Sequence, residues 1–145
     1  MADDVLVGMM GPLMGLLLGF LVFFIVLVIA IYIYMALALM KIANKTGTGN
    51  AWLAWIPVAN IYLMTQIGGL PGWYTFGILL SFIPVVGTLL FLILFAYIWW
   101  KIAESISKPG WWGILMLIPI VNLVIIGMMA WGGNSAQKVS GKKKK

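Results

Sequence analysis

Polar and apolar positions fall in long blocks along this chain rather than in alternating faces. Residues 5–40 (36 positions), 46–100 (55) and 109–137 (29) carry no charge. A membrane span needs about 20 apolar residues, so these gaps hold one span, two or more, and one. The first segment runs from about Pro12 to Met40. Pro12 suits a first helical turn, where no backbone donor is lost. Val22, Ile25, Val26, Val28, Ile29, Ile31 and Ile33 are β-branched, poor helix composition in water. In lipid the helix is the only single span that satisfies its own backbone. Its length, about 44 Å as helix, predicts tilt or an emergent end. Tyr32 and Tyr34 then lie near the end that Lys41 and Lys45 mark.

Four further segments follow the polar loop 44–50: Ala51–Ile67, Trp73–Ile83, Thr88–Ile106 and Trp111–Trp131. The turn 68–72, the break at Pro84–Gly87 and the break at Ser107–Gly110 separate them. Ile56-Pro57-Val58-Ala59-Asn60, Ile83-Pro84-Val85-Val86-Gly87 and Ile118-Pro119-Ile120-Val121-Asn122 repeat one pattern: Ile-Pro, two aliphatics, then Asn or Gly. Such breaks are Pro kinks, capped turns, or the broken helices of a transporter site. The fold class is all-α: a polytopic integral membrane protein of five helical segments and three to five crossings, with short Pro-broken helices. Three parts are expected: an N-terminal transmembrane helix (1–43), a Trp/Ile-Pro repeat domain (44–131) and a disordered basic tail (132–145).

Composition sharpens this. Hydrophobic residues make up 64%, against about 45–50% in a soluble domain, which excludes a soluble enzyme and a nucleic-acid-binding domain. With no Cys and no His there is no thiolate or imidazole site, so no metal or cofactor is expected. The net charge of +6 is concentrated in Lys138, Lys142, Lys143, Lys144 and Lys145. A basic tail beside apolar segments reads as a cytoplasmic topology signal that meets anionic lipid headgroups. Met1-Ala2-Asp3-Asp4 is acidic where a signal peptide is basic, and the following apolar run is too long for one.

The run Trp52-Leu53-Ala54-Trp55-Ile56-Pro57-Val58-Ala59-Asn60-Ile61-Tyr62, then Pro71-Gly72-Trp73, Lys108-Pro109-Gly110-Trp111-Trp112 and Ile118-Pro119-Ile120-Val121-Asn122, resembles a family of small prokaryotic membrane proteins catalogued as a domain of unknown function. The family pattern is Gly-Trp-x-x-x-Ile-Pro-x-x-Asn-x-Tyr followed by Lys-Pro-Gly-Trp-Trp; Ala51 stands where it has Gly. The resemblance covers roughly Lys41 to Trp131. It implies a prokaryotic plasma-membrane address but no activity. Relatives sometimes carry the domain beside a signal peptidase and share that name.

A Ser-Lys dyad needs a nucleophile within reach of a desolvated amine. Ser105 and Ser107 lie near Lys101 and Lys108, but at a helix end expected to face headgroups. Glu104 is spaced for a local pair with Lys101 or Lys108. Asn60, Gln66 and Asn122 are the polar groups expected at depth, where they must find partners across helices or on Pro-freed carbonyls. Trp52, Trp55, Trp73, Trp99, Trp100, Trp111, Trp112 and Trp131 sit at segment ends and read as lipid-interface anchors. Gly11, Gly15 and Gly19 present three bare patches on one helix face, a packing surface for another helix.

The lysine distribution puts the tail inside and the N-terminus outside. Three crossings with a re-entrant fifth segment place all nine lysines on one side, and five crossings place two outside. The function expected is non-enzymatic: a scaffold or partner subunit that self-associates, with the bilayer and a homo-oligomer or another membrane protein as partners. The alternative is a small channel or transporter subunit using Asn60 and Asn122.

Overall fold

A computed structural model describes residues 1–133. Most of the tail, including Lys142, Lys143, Lys144 and Lys145, lies outside the described residues. The architecture is all-α: α1 (Ala2–Lys45), α2 (Pro57–Ile67), α3 (Val86–Ser105), α4 (Trp112–Leu115) and α5 (Pro119–Trp131), with 3-10 helices at Ala51–Trp55 and Gly72–Phe82. Two of these, α1 and α3, are long and apolar enough to cross a membrane. The chain forms two compact units, Met1–Tyr34 and the remainder from Met35. The last turns of α1 therefore belong with the second unit, and the boundary falls nine residues before the one expected after Ala43.

In the first unit, residues 1–33 are all exposed. The helix starts ten residues before the expected Pro12, which lies inside it. Proline there removes one backbone donor and crowds the carbonyl of Gly8, one turn earlier. The preceding turns still close, beginning with Val5 N–H to Met1 O at 3.3 Å. Asp3 and Asp4 in the first turn complement the positive end of the helix dipole.

In the second unit, each Ile-Pro pair separates two elements instead of kinking one. Pro57 and Pro119 occupy the first turn of α2 and α5, where a missing N–H is harmless. The preceding Ile56 and Ile118 are extended (φ −107°, ψ 117° and φ −91°, ψ 116°), the conformation that a following proline imposes. The segments expected at Ala51–Ile67 and Trp111–Trp131 are thus split in two. Trp73–Ile83 is a 3-10 helix rather than an α-helix. Its steeper rise, about 2.0 Å per residue, lets eleven residues run beside more of α3 than an α-helix could.

The helices leave their polar ends by one recurring device. Thr48 N–H bonds Ala43 O (2.9 Å), Leu70 N–H bonds Thr65 O (2.8 Å) and Lys108 N–H bonds Ala103 O (2.9 Å). Each bond closes over a left-handed residue: Gly47, Gly69 and Ser107. This is the Schellman arrangement that satisfies terminal carbonyls.

The Gly72–Phe82 helix runs antiparallel to α3. Tyr74 stacks 6.3 Å from Tyr97, a Cβ at Gly77 would overlap Leu94, and Gly87 abuts the carbonyl of Leu80. Gly68, at the end of α2, lies against Lys101, where an added Cβ would sit 3.0 Å from its Cβ. The α4 backbone at Gly113 touches that of Trp99 and Trp100, and α5 returns so that Lys45 Nζ donates to Met129 O (3.1 Å) and to Gly132 O. Hence α2, α3 and α5 all finish at one end of this unit, the end that bears Lys41, Lys45, Lys101 and Lys108.

The core sits at that end. Ile42, Leu63, Trp99, Ile102, Ile106, Met116, Ile126 and Met129 are its largest fully buried apolar side chains. The Ile-Pro tips expose apolar surface instead: Val58 60%, Val85 73% and Ile120 78%.

Candidate functional site

Three sets of residues are candidates for function. The first is the glycine stripe. A Cβ added at Gly8, Gly11, Gly15 or Gly19 would meet nothing within 4 Å. Around these glycines, Leu16 (70% exposed) and Phe20 (60%) are typical of their surroundings.

The second set is the amides. Asn122 Nδ2 donates to Met116 O (2.9 Å), across the break at Pro119. Its Oδ1 is buried without a partner among the described residues. The amide thus spans the break from α5 to the end of the preceding element. Asn60 donates its backbone N–H to Ile56 O (2.8 Å) and is half-buried. Gln66 is exposed, beside Gly72. Asn60 and Asn122 lie at the starts of α2 and α5, the end opposite the lysines, whereas Gln66 lies near the other end of α2. Asn122→Leu should lower stability by about 1 kcal/mol, the scale of one polar contact between membrane helices, while Asn60→Leu should change it less. Thermal unfolding in detergent measures both.

Seven of the eight tryptophans are exposed or half-exposed, but Trp99 is 2% exposed. It is a core residue, not a surface anchor. Trp99 and Trp100 are neighbours about 100° apart around α3, so when Trp100 faces outward Trp99 turns in. Trp99 Nε1 has no partner among the described residues. Trp100 Nε1 donates to Glu104 (2.8 Å).

The third set is the lysine end. Lys101 pairs with Glu104 (3.0 Å), as the spacing predicts. Lys108 does not share that carboxylate. It lies over the Trp112 ring (5.6 Å) and donates to Gly133 O (3.4 Å). Lys41 lies over Trp131 (5.5 Å). The positive charges of Lys41 and Lys108 both act on Lys45. Sequence reasoning treated these lysines as topology marks and missed their convergence, because Lys41 and Lys108 are 67 positions apart.

No group of three potential metal ligands occurs among the described residues. Ser105 Oγ donates to Ile102 O (2.7 Å), and Lys101 is held by Glu104, so the nearest serine and lysine are each bonded elsewhere.

The Trp-rich loop, the Ile-Pro turn and the α3 end together match one known family. Residues 52–108 match DUF5684, a family of unknown function. The DUF5684 match takes in the first two Ile-Pro arms and stops at Lys108. It is shorter than the Lys41–Trp131 resemblance expected, and excludes α1 and the α4–α5 arm. No curated protein and no solved structure matches the chain.

Proposed function

We propose that this chain is an integral membrane protein with no catalytic role, a scaffold or partner subunit that self-associates through the glycine face of α1. One observation carries the reading: α1 presents bare backbone at Gly11, Gly15 and Gly19 amid apolar side chains that are exposed on every face. An exposed apolar surface of that extent is covered by lipid or by protein. Where a stripe of small residues interrupts it, helices approach closely and associate.

In this reading the repeat domain is built of three re-entrant arms. Each enters the bilayer from the lysine end through a short element, turns at Ile-Pro and returns by an α-helix. Irregular backbone at depth is tolerated where protein covers it. The arrangement supports a single crossing, by α1, with every lysine-bearing loop on the cytoplasmic side. The sequence alone allows three to five crossings; the hairpin pairing of the Gly72–Phe82 helix with α3 supports the single-crossing reading, in which α3, though long enough to span, returns to its own side. A prokaryotic plasma membrane is the address that the family resemblance favours.

Reconstituted in liposomes, the chain should cross-link to dimers or larger species and should not raise the flux of small ions or solutes. Flux that depends on Asn60 and Asn122 would replace the scaffold reading with the channel or transporter one.

A further inference from the structure

Lys41, Lys45 and Lys108 converge on the C-terminal end of α5. Lys45 reaches Met129 O and Gly132 O, Lys41 stacks on Trp131, and Lys108 reaches Gly133 O. Helix carbonyls neutralise this charge only in part, since the dipole carries about half an elementary charge. The acids among the described residues are Asp3, Asp4 and Glu104. The first two are at the start of α1, and Glu104 is committed to Lys101 and Trp100. No carboxylate among the described residues pairs with the cluster, which leaves it open to an anion.

Beside it is a pocket of about 380 Å³ lined by Leu37, Met40, Lys41, Asn44 and Trp131. Leu37, Met40 and Trp131 make apolar walls, while Lys41 and Asn44 add a charge and an amide. A free phosphate would use only the charge and the amide. An amphiphile would use both parts, its anionic group at the lysines and its glycerol and upper acyl carbons against the apolar walls.

We propose that this pocket and the three lysines form a binding site for an anionic phospholipid, with the headgroup phosphate held between Lys41 and Lys108. The proposal rests on the membrane reading above and assigns headgroup recognition to the folded domain rather than to the tail alone. Lys45 already serves α5, so it contributes mainly field, and Asn44 offers a donor to the phosphate or glycerol oxygens.

The test uses the full chain in nanodiscs or detergent, with native mass spectrometry to count retained phosphatidylglycerol against phosphatidylcholine. Wild type should retain phosphatidylglycerol preferentially. The double variant Lys41→Gln, Lys108→Gln should lose about thirtyfold of that preference, since each lysine near anionic lipid contributes a factor of about five. Lys41→Arg, Lys108→Arg should keep it, and so should deletion of residues 134–145. Detergent melting of each variant separates lost binding from lost fold. Should the double Gln variant melt as wild type does and keep the preference, or should tail deletion abolish it, the site is not here. Displacement of phosphatidylglycerol by millimolar inorganic phosphate would also overturn the proposal, because the pocket would then read phosphate and not lipid. If the chain fails to enter bilayers of either lipid, the membrane reading itself has failed, a distinct result.

Discussion

Leucine at Gly15 should convert a cross-linkable oligomer into a monomer in mild detergent. Among the described residues a Cβ at Gly15 would have nothing within 4 Å. It also makes α1 more apolar and improves its helix propensity by about 1 kcal/mol in water. Insertion and stability should therefore be unchanged or improved, and the loss should appear only in association. Close approach of backbones at Gly11, Gly15 and Gly19 brings dispersion and weak Cα–H hydrogen bonds, and one large side chain in the centre of the stripe holds the helices apart. Chemical cross-linking with analytical ultracentrifugation reads the change. Wild type and variant that both run as monomers, with the variant less stable, would remove the self-association claim.

The opposite outcome is expected at Gly113. A Cβ there would overlap the backbone of Trp100 and of Trp99, which no rotamer change can relieve. Leucine at this position should push α4 from α3 and lower stability by about 3 kcal/mol, the upper range for overpacking. Because α4 leads into the break that Asn122 bridges to Met116, the α4–α5 arm should loosen with it. Denaturation in mixed micelles, compared with the same change at Gly8, separates the effect of contact from that of side-chain size. Gly113→Leu as stable as wild type would mean that α4 does not lie on α3.

The contrast between these glycines marks what was legible in the sequence. The stripe at Gly11, Gly15 and Gly19 is visible as spacing. Gly113 is visible only as one residue of a Gly/Pro/Trp loop, because its role comes from a chain segment that approaches from α3. The three Ile-Pro breaks could be placed from sequence alone, and one helical element ends and another begins at all three. Whether they were kinks or turns could not be read, since proline suits both the interior of a bent membrane helix and the first turn of a new one. Tertiary contacts decide, through Gly68 against Lys101 and Lys45 on the end of α5. Pro12 illustrates the converse, a residue read as a helix start that α1 runs through. The Lys101–Glu104 pair was legible because it is local, whereas the convergence of Lys41, Lys45 and Lys108 depends on the way three arms return.

That return is the centre of the account, and the chain suits a direct test because it contains no cysteine. Single substitutions Ala2→Cys, Thr48→Cys, Leu70→Cys and Ser107→Cys, with Val58→Cys, Val85→Cys and Ile120→Cys at the exposed tips, can be probed in sealed vesicles with a membrane-impermeant maleimide. The account predicts that positions 48, 70 and 107 label from one side, position 2 from the other, and the three tips from neither. Labelling of a tip from the side opposite the lysine loops, or of positions 48, 70 and 107 from different sides, would contradict it.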